Sequence, residues 1–352
     1  MPTKFKFIAL FLAVGLAASG CAISVKTSGG GLDGAVYKTA DKGETWAQKS
    51  LVLTVSGQSK TIKTLDGSSL AVDPSDNKAV YYGTVENGLW YTYDGGESWQ
   101  AAKTLGAVTI KAIAVDSADK CNIYVAVDNK VIKSVDCART WQQAYYDNDP
   151  KVAVTDIAID AYNSANVYIS TTRGEVIKSF DRGSNWRTMG RFDNDVLRVA
   201  VSSHDSRIIF AGTSKKAIFR SLNGGETWQD LSAGLKDFQD SYKFRDLVLP
   251  KSEKGLVLLA TRYGLLKSKD NGDTWEAINL ITPEKDAVIN ALAASPKNSA
   301  EIYYVTNTTF YRSGDGGNTW TTKKLPSTRA GWNLAIDPVD TSVVYLTVRT
   351  LD

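Results

Sequence analysis

The chain has one histidine, three cysteines and almost no net charge. Each shortage excludes something. With His204 as the sole imidazole and no His/Cys cluster at ligand spacing, metal catalysis has no support; no metal and no cofactor are expected. His204, in Ser-Ser-His-Asp-Ser, reads as a solvated turn residue. The formal charge of +3 falls to about +1 once Lys4 and Lys6 are set aside with the N-terminal segment. A general nucleic-acid binder would carry a clear basic excess, so nucleic acid is not an expected partner. After residue 17 no apolar run is long enough to cross a bilayer.

What the chain does have is a repeat. The octet Ser313-Gly-Asp315-Gly-Gly317-Asn-Thr319-Trp320 recurs seven times, its copies ending at Trp46, Trp99, Trp141, Trp186, Trp228, Trp275 and Trp320, 42 to 53 residues apart. That period fits four-stranded propeller blades. Apolar strand residues precede each octet (Val131, Ile132; Val176, Ile177; Ile218, Phe219; Leu265, Leu266) and a short strand follows. The Asp (Asp41, Asp94, Asp136, Asp181, Asp270, Asp315) can accept N–H bonds inside a hairpin turn, and Gly supplies the backbone angle that the turn demands. Asn223 stands for Asp in one copy, and Cys137-Ala138 for the glycine-containing pair in another. The Trp has an apolar body to bury between blades and an N–H to partner.

The octet resembles the Asp-box, or BNR repeat, of sialidases, sortilin-type receptors, xyloglucanases and photosystem II assembly factors of the Ycf48 type. The resemblance covers nearly all of the chain after the leader. It implies that the box residues are structural and lie on the face away from the binding site. A second motif alternates with it: Leu70-Ala-Val-Asp73-Pro, Ile113-Ala-Val-Asp116, Ile157-Ala-Ile-Asp160, Val199-Ala-Val-Ser202, Leu247-Val-Leu-Pro250, Leu292-Ala-Ala-Ser295 and Leu334-Ala-Ile-Asp337-Pro. These read as inner strands meeting a turn. The expected fold is all-β: one seven-bladed propeller over residues 34–352, closed where the outer half-blade at Ala35 to Gln48 pairs with the inner half-blade at Trp332 to Arg349.

Residues 1–20 read as a signal peptide, with Lys4 and Lys6 before an apolar core. Ala18-Ser-Gly-Cys21 resembles a bacterial lipoprotein signal. It implies lipidation of Cys21, residues 21–33 as a flexible tether, and a lipid-anchored protein of the bacterial cell envelope. The alternative is ordinary secretory cleavage beside an incidental cysteine. Cys121 and Cys137 remain, an even pair in an exported chain. They fall in two turns at the same end of one up-and-down blade, where a disulfide can form; otherwise they are inert thiols.

Function must come from a site, and no catalytic constellation stands out. Three inter-blade connections are long: Ser50 to Ser68, Ala144 to Val154 and Leu235 to Phe244, with aromatic residues including Tyr145, Phe238 and Tyr242. Shorter loops carry Arg173, Lys215, Lys216, Arg262 and Arg349, and the starts of the inner strands carry Lys111, Asp156, Arg198, Arg245, Asp246 and Trp332. These outline a mixed-charge funnel for an anionic, glycan or acidic protein partner, unless the charges pair with one another. The expectation is a monomeric, non-catalytic module binding a protein or polysaccharide. A glycan-active enzyme using funnel carboxylates is the alternative.

Overall fold

The computed structural model describes residues 31–53 and 59–351. Seven four-stranded antiparallel sheets succeed one another along the chain. Blades 1 to 6 run over Gly67–Ala101, Ala112–Tyr146, Val154–Arg191, Val196–Asp230, Phe244–Ile278 and Ala291–Lys324. Blade 7 is composite: Ala330–Ile336 and Val344–Arg349 pair with Val36–Thr39 and Ala47–Lys49, in the register Val36↔Thr347 to Thr39↔Val344. The first strands of successive blades touch around the whole ring, so they line the central channel.

Burial follows the blades. Seven apolar clusters form, one for each inter-blade wedge; that between blades 4 and 5 holds Phe210, Ile218, Phe244, Leu247, Leu259 and Leu266. The second strands, such as Ile123–Val127 and Val257–Thr261, are buried on both faces and read as continuous apolar runs. No blade has a core of its own; each is completed by its neighbours.

The octets form one hydrogen-bonded turn, repeated. In the last copy Ser313 Oγ donates to Asp315 Oδ1 at 2.8 Å and accepts the N–H of Gly317 at 2.8 Å. Asp315 Oδ1 accepts the Thr319 N–H at 2.9 Å, and Oδ2 accepts the Thr319 hydroxyl at 2.6 Å. Ser98 and Asn185 fill the Thr place with the same bonds. Asn223 substitutes for Asp by accepting the Thr227 N–H at 2.9 Å while its amide donates to the Thr227 hydroxyl. Two consecutive residues take positive φ, as at Gly316 (75°) and Gly317 (91°), which explains the glycine preference. In blade 2 Cys137 (60°) and Ala138 (65°) hold the same shape, and Cys137 is disulfide-bonded to Cys121.

The box tryptophans sit between blades as expected but unevenly, and two other expectations are corrected. Only Trp99 is fully buried; the other box tryptophans are half-exposed. Each still packs on the preceding blade, and the indole N–H of Trp99, Trp186, Trp228 and Trp320 reaches a carbonyl of that blade or its exit, at Lys49, Ala144, Met189 and Asn279. Trp46 and Trp141 leave that N–H without a partner. His204 is not a freely solvated residue: it is half-buried and its Nε2 is enclosed without a partner. Residues 31–33, counted above with the tether, are fastened to the ring. Arg329 Nη2 donates to the Gly31 carbonyl at 2.6 Å, and Asp33 Oδ2 accepts the Thr328 N–H at 2.8 Å. The leader, Cys21 and most of the tether lie outside the described residues.

Candidate binding site at the channel mouth

The ladders define two faces. In blade 3 the turn after Ile159 and the box turn after Ser179 lie at one end, since Val167 pairs with both residues. The other end gathers the starts of the first strands, the loops between second and third strands, and the connections between blades. Here five first strands carry the same irregularity, with register shifts between Gly67/Ser69, Val154/Asp156, Val196/Arg198, Phe244/Asp246 and Gly331/Asn333. A bulge re-aims the side chains beside it, and these five do so around one channel mouth.

The re-aimed side chains bond from blade to blade. Ser69 Oγ donates to the Ile110 carbonyl at 2.8 Å, and Thr155 Oγ1 to the Val196 carbonyl at 2.5 Å. Asp156 Oδ2 accepts the Val199 N–H at 3.1 Å; Asp246 Oδ2 accepts the Leu292 N–H at 2.9 Å, and its Oδ1 that of Leu247 at 2.8 Å. Arg198 stands between the two acids, its Nε 3.6 Å from Asp156 and 3.9 Å from Asp246. Burial raises the Asp156 carboxyl above its ordinary value, and the Arg198 guanidinium pulls against that rise. The same acids, Asp156 first, raise the guanidinium's own value. Of the two sequence alternatives for these charges, the paired one describes Asp156, Arg198 and Asp246.

Lys111, Asp156 and Arg198 line one cavity of about 530 Å³, with Ser69, Thr155 and Asn333. Lys111 is exposed and has no carboxylate at ion-pair distance among the described residues. Arg198 keeps 45% of its side chain open to the channel. The remaining sequence candidates lie around this mouth and not within the cavity. Arg173 is held by Asp147 and by Glu175 at 3.8 Å. Trp332 is covered by the Arg349 guanidinium, 4.6 Å from its ring. Arg245 is exposed at the bulge that opens the first strand of blade 5, and Arg262 and Lys215 are exposed on separate loops. The long connections are less open than expected: Phe238 packs edge-on to Tyr263 and Tyr145 to Trp186, which leaves Tyr146 and Tyr242 outside.

The residues that the sequence reading missed are Arg329, Asp33 and Asp66. Arg329 is buried at the seam of blades 7 and 1, with Nη1 donating to Asp66 Oδ1 at 2.7 Å and Nε 3.4 Å from Asp33. Asp66 also accepts the Thr350 N–H at 2.9 Å. One guanidinium thus ties together the incoming chain, the approach to blade 1 and the C-terminal end of blade 7. Nothing local in the sequence marks it.

Seven Asp-box turns on seven four-stranded blades make the chain a seven-bladed β-propeller built on Asp-box turns. The family model of the photosynthesis system II assembly factor YCF48 matches residues 191–333, less than half of the chain. The chain is also similar to the xyloglucanase Xgh74A of Acetivibrio thermocellus, 36% identical over 72 residues, which are 20% of this chain and 8% of that protein. The chain thus matches less than a tenth of that relative's length. The Niastella koreensis GH74 enzyme superposes at TM-score 0.65 and 17% identity, over 81% of this chain and 51% of its own. A structure of YCF48 bound to D1 peptide superposes at 0.62 and 15%, over 81% and 93%. At those identities the superpositions establish the fold alone.

Proposed function

We propose that this chain is a non-catalytic, lipid-anchored propeller of the bacterial cell envelope whose channel-mouth face binds a protein or polysaccharide partner. One observation carries the reading. The two channel carboxylates are engaged by backbone N–H groups of the inner strands and share the Arg198 guanidinium, so among the described residues Lys111 is the charge lining the cavity that is left without an ion-pair partner, while Arg198 keeps an open side toward a ligand. Glycoside hydrolysis needs two carboxyl groups with room between them for a glycosidic oxygen or water. Here Arg198 occupies that place. An anionic or hydroxyl-rich surface is what such a mouth attracts, with Arg173, Lys215, Arg245, Arg262 and Trp332 around it as further contacts. The relatives supply both precedents, a propeller bound to a peptide and propellers named for xyloglucan.

The enzyme reading has one observation in its favour, the raised carboxyl of Asp156, since a general acid needs such a shift. The deciding experiment is a glycan-array and envelope pull-down with residues 31–352, with product analysis of everything bound. Lys111→Ala and Arg198→Ala serve as paired variants. Retention without turnover, lost in both variants, is the expected result. Release of shortened glycan that survives in Arg198→Ala and vanishes in Asp156→Asn would overturn it.

A further inference from the structure

The chain enters the ring on the channel-mouth face. Val36 begins the third strand of blade 7 at the end where Ala330 begins the first, and the residues before it are held at several points. The Leu32 carbonyl accepts from Gln48 Nε2 at 3.0 Å, the Gly34 N–H donates to the Lys63 carbonyl at 2.7 Å, and the Asp33 carbonyl accepts from Tyr37 and Ser327. With the Arg329 bond to Gly31, the chain is already held to the ring at Gly31.

Cys21 is separated from Gly31 by residues 22–30, Ala-Ile-Ser-Val-Lys-Thr-Ser-Gly-Gly. Nine residues reach about 30 Å when fully extended. A first strand of seven residues such as Ala330–Ile336 is already about 23 Å long, before the turns on either end are added. Bringing the Asp-box face to the surface that holds the lipid would need the tether stretched to its limit down the side of the ring. With the mouth toward that surface the same residues have length to spare.

We infer that the propeller sits with its channel mouth toward the membrane that holds its lipid, and its Asp-box turns away from it. This rests on lipidation of Cys21 as proposed above. It also narrows the partner: the mouth meets one borne by the membrane, and a soluble polysaccharide on the far side meets only the box turns.

The test uses the full lipidated chain in vesicles with an energy-transfer acceptor on the lipid headgroups. Since Cys21 would carry lipid and Cys121–Cys137 are bridged, one added cysteine gives a unique label. Thr308→Cys and Asp193→Cys are exposed on the mouth side; Gly314→Cys and Leu222→Cys are exposed on the box side. Transfer is expected to be at least about twofold stronger for the first pair, and a 20-residue Gly/Ser insertion after Thr27 should erase the difference. Equal transfer at all four sites, stronger transfer at the box side, or a difference that survives the insertion would overturn the inference. The mass of the N-terminal peptide reads the anchor separately. Absence of a lipid adduct that Cys21→Ala should remove sinks the anchor and the orientation together, whereas an adduct with equal transfer sinks the orientation alone.

Discussion

Trp99→Ala tests whether the wedges between blades hold the ring together. Trp99 is fully buried between blades 1 and 7, edge-on to Tyr82 at 5.9 Å, with Ile62, Val80, Val36 and Tyr345 around it. A buried Trp removes about 200 Å² from water, worth about 5 kcal/mol at 25 cal/mol per Å². Loss of its N–H bond to the Lys49 carbonyl adds about 1 kcal/mol, and partial collapse of the cavity returns some of the total. We expect a loss of about 4–5 kcal/mol. Trp141→Ala is the control, since Trp141 is half-exposed and its indole N–H has no partner. Its removal also deletes an unsatisfied donor, so the expected loss is about 1–2 kcal/mol. At about 2–3 °C per kcal/mol for a domain of this size, calorimetry should show Tm falling by about 10 °C in the first variant and about 4 °C in the second. Equal shifts, or a Trp99→Ala variant that melts within about 2 °C of the parent, would refute the wedge argument.

Glycine at the fifth place of the box should be worth more than at the fourth. A Cβ at Gly317 would run into Ile278 and also take positive φ, whereas one at Gly316 meets open space, so Gly317→Ala should cost about 2–4 kcal/mol against about 1 for Gly316→Ala by urea unfolding. The Asp41, Asp136, Asp181, Asp270 and Asp315 carboxyls are held down near 2, by side-chain hydrogen bonds first at Asp41, Asp136, Asp181 and Asp315 and against burial at Asp270. A depressed value adds stability above the unfolded carboxylate range that is lost as pH falls through about 2. Asp315→Asn, built like the natural Asn223 copy, should therefore flatten the acid limb of a Tm–pH curve; an unchanged slope would contradict this. Arg329→Met should cost about 2–4 kcal/mol, because Asp66 and Asp33 lose their buried cation, and should open residues 31–33 to proteolysis; a variant with a parental digestion pattern would rule out the clasp.

The blade count was legible because the box is a local device. Its bonds join residues two to four positions apart, so the octet encodes the whole turn, and the Asn223 and Cys137-Ala138 copies could be recognised as the same turn with different atoms. The mouth was legible only as a set of positions. Asp156 finds its partner 43 residues away in the next blade, and the bulges that aim it there leave no local mark. For the same reason the aromatic residues of the long connections were overestimated as free contacts: Phe238 and Tyr145 are claimed by Tyr263 and Trp186, which lie outside those connections. The Arg329 clasp joins positions up to 298 residues apart, and only the closed ring brings them together.

Aligning the blades on their inner-strand motif places Ser69, Ala112, Asp156, Arg198, Asp246, Ala291 and Asn333 at one equivalent position around the mouth. Arg198 is the single cation of that ring and stands on the blade between the two acids. Its contribution can be isolated by pH. In Arg198→Ala both carboxylates keep their backbone N–H bonds but lose the opposite charge, so burial, the main force already raising Asp156, is opposed by those N–H bonds alone and the rise grows. A carboxyl raised in the folded state binds its proton more tightly there than in the unfolded chain. Stability is therefore unaffected below the unfolded value and falls as pH rises through the window between the two. The difference in urea midpoint between Arg198→Ala and the parent should be small at pH 3.5 and grow toward pH 7. Asp156→Asn in the same background should remove that growth, since the amide fits the site without a charge to bury. If the difference were the same at every pH, the guanidinium would be supporting the mouth by packing alone, and the charge-balance account of the channel would fail.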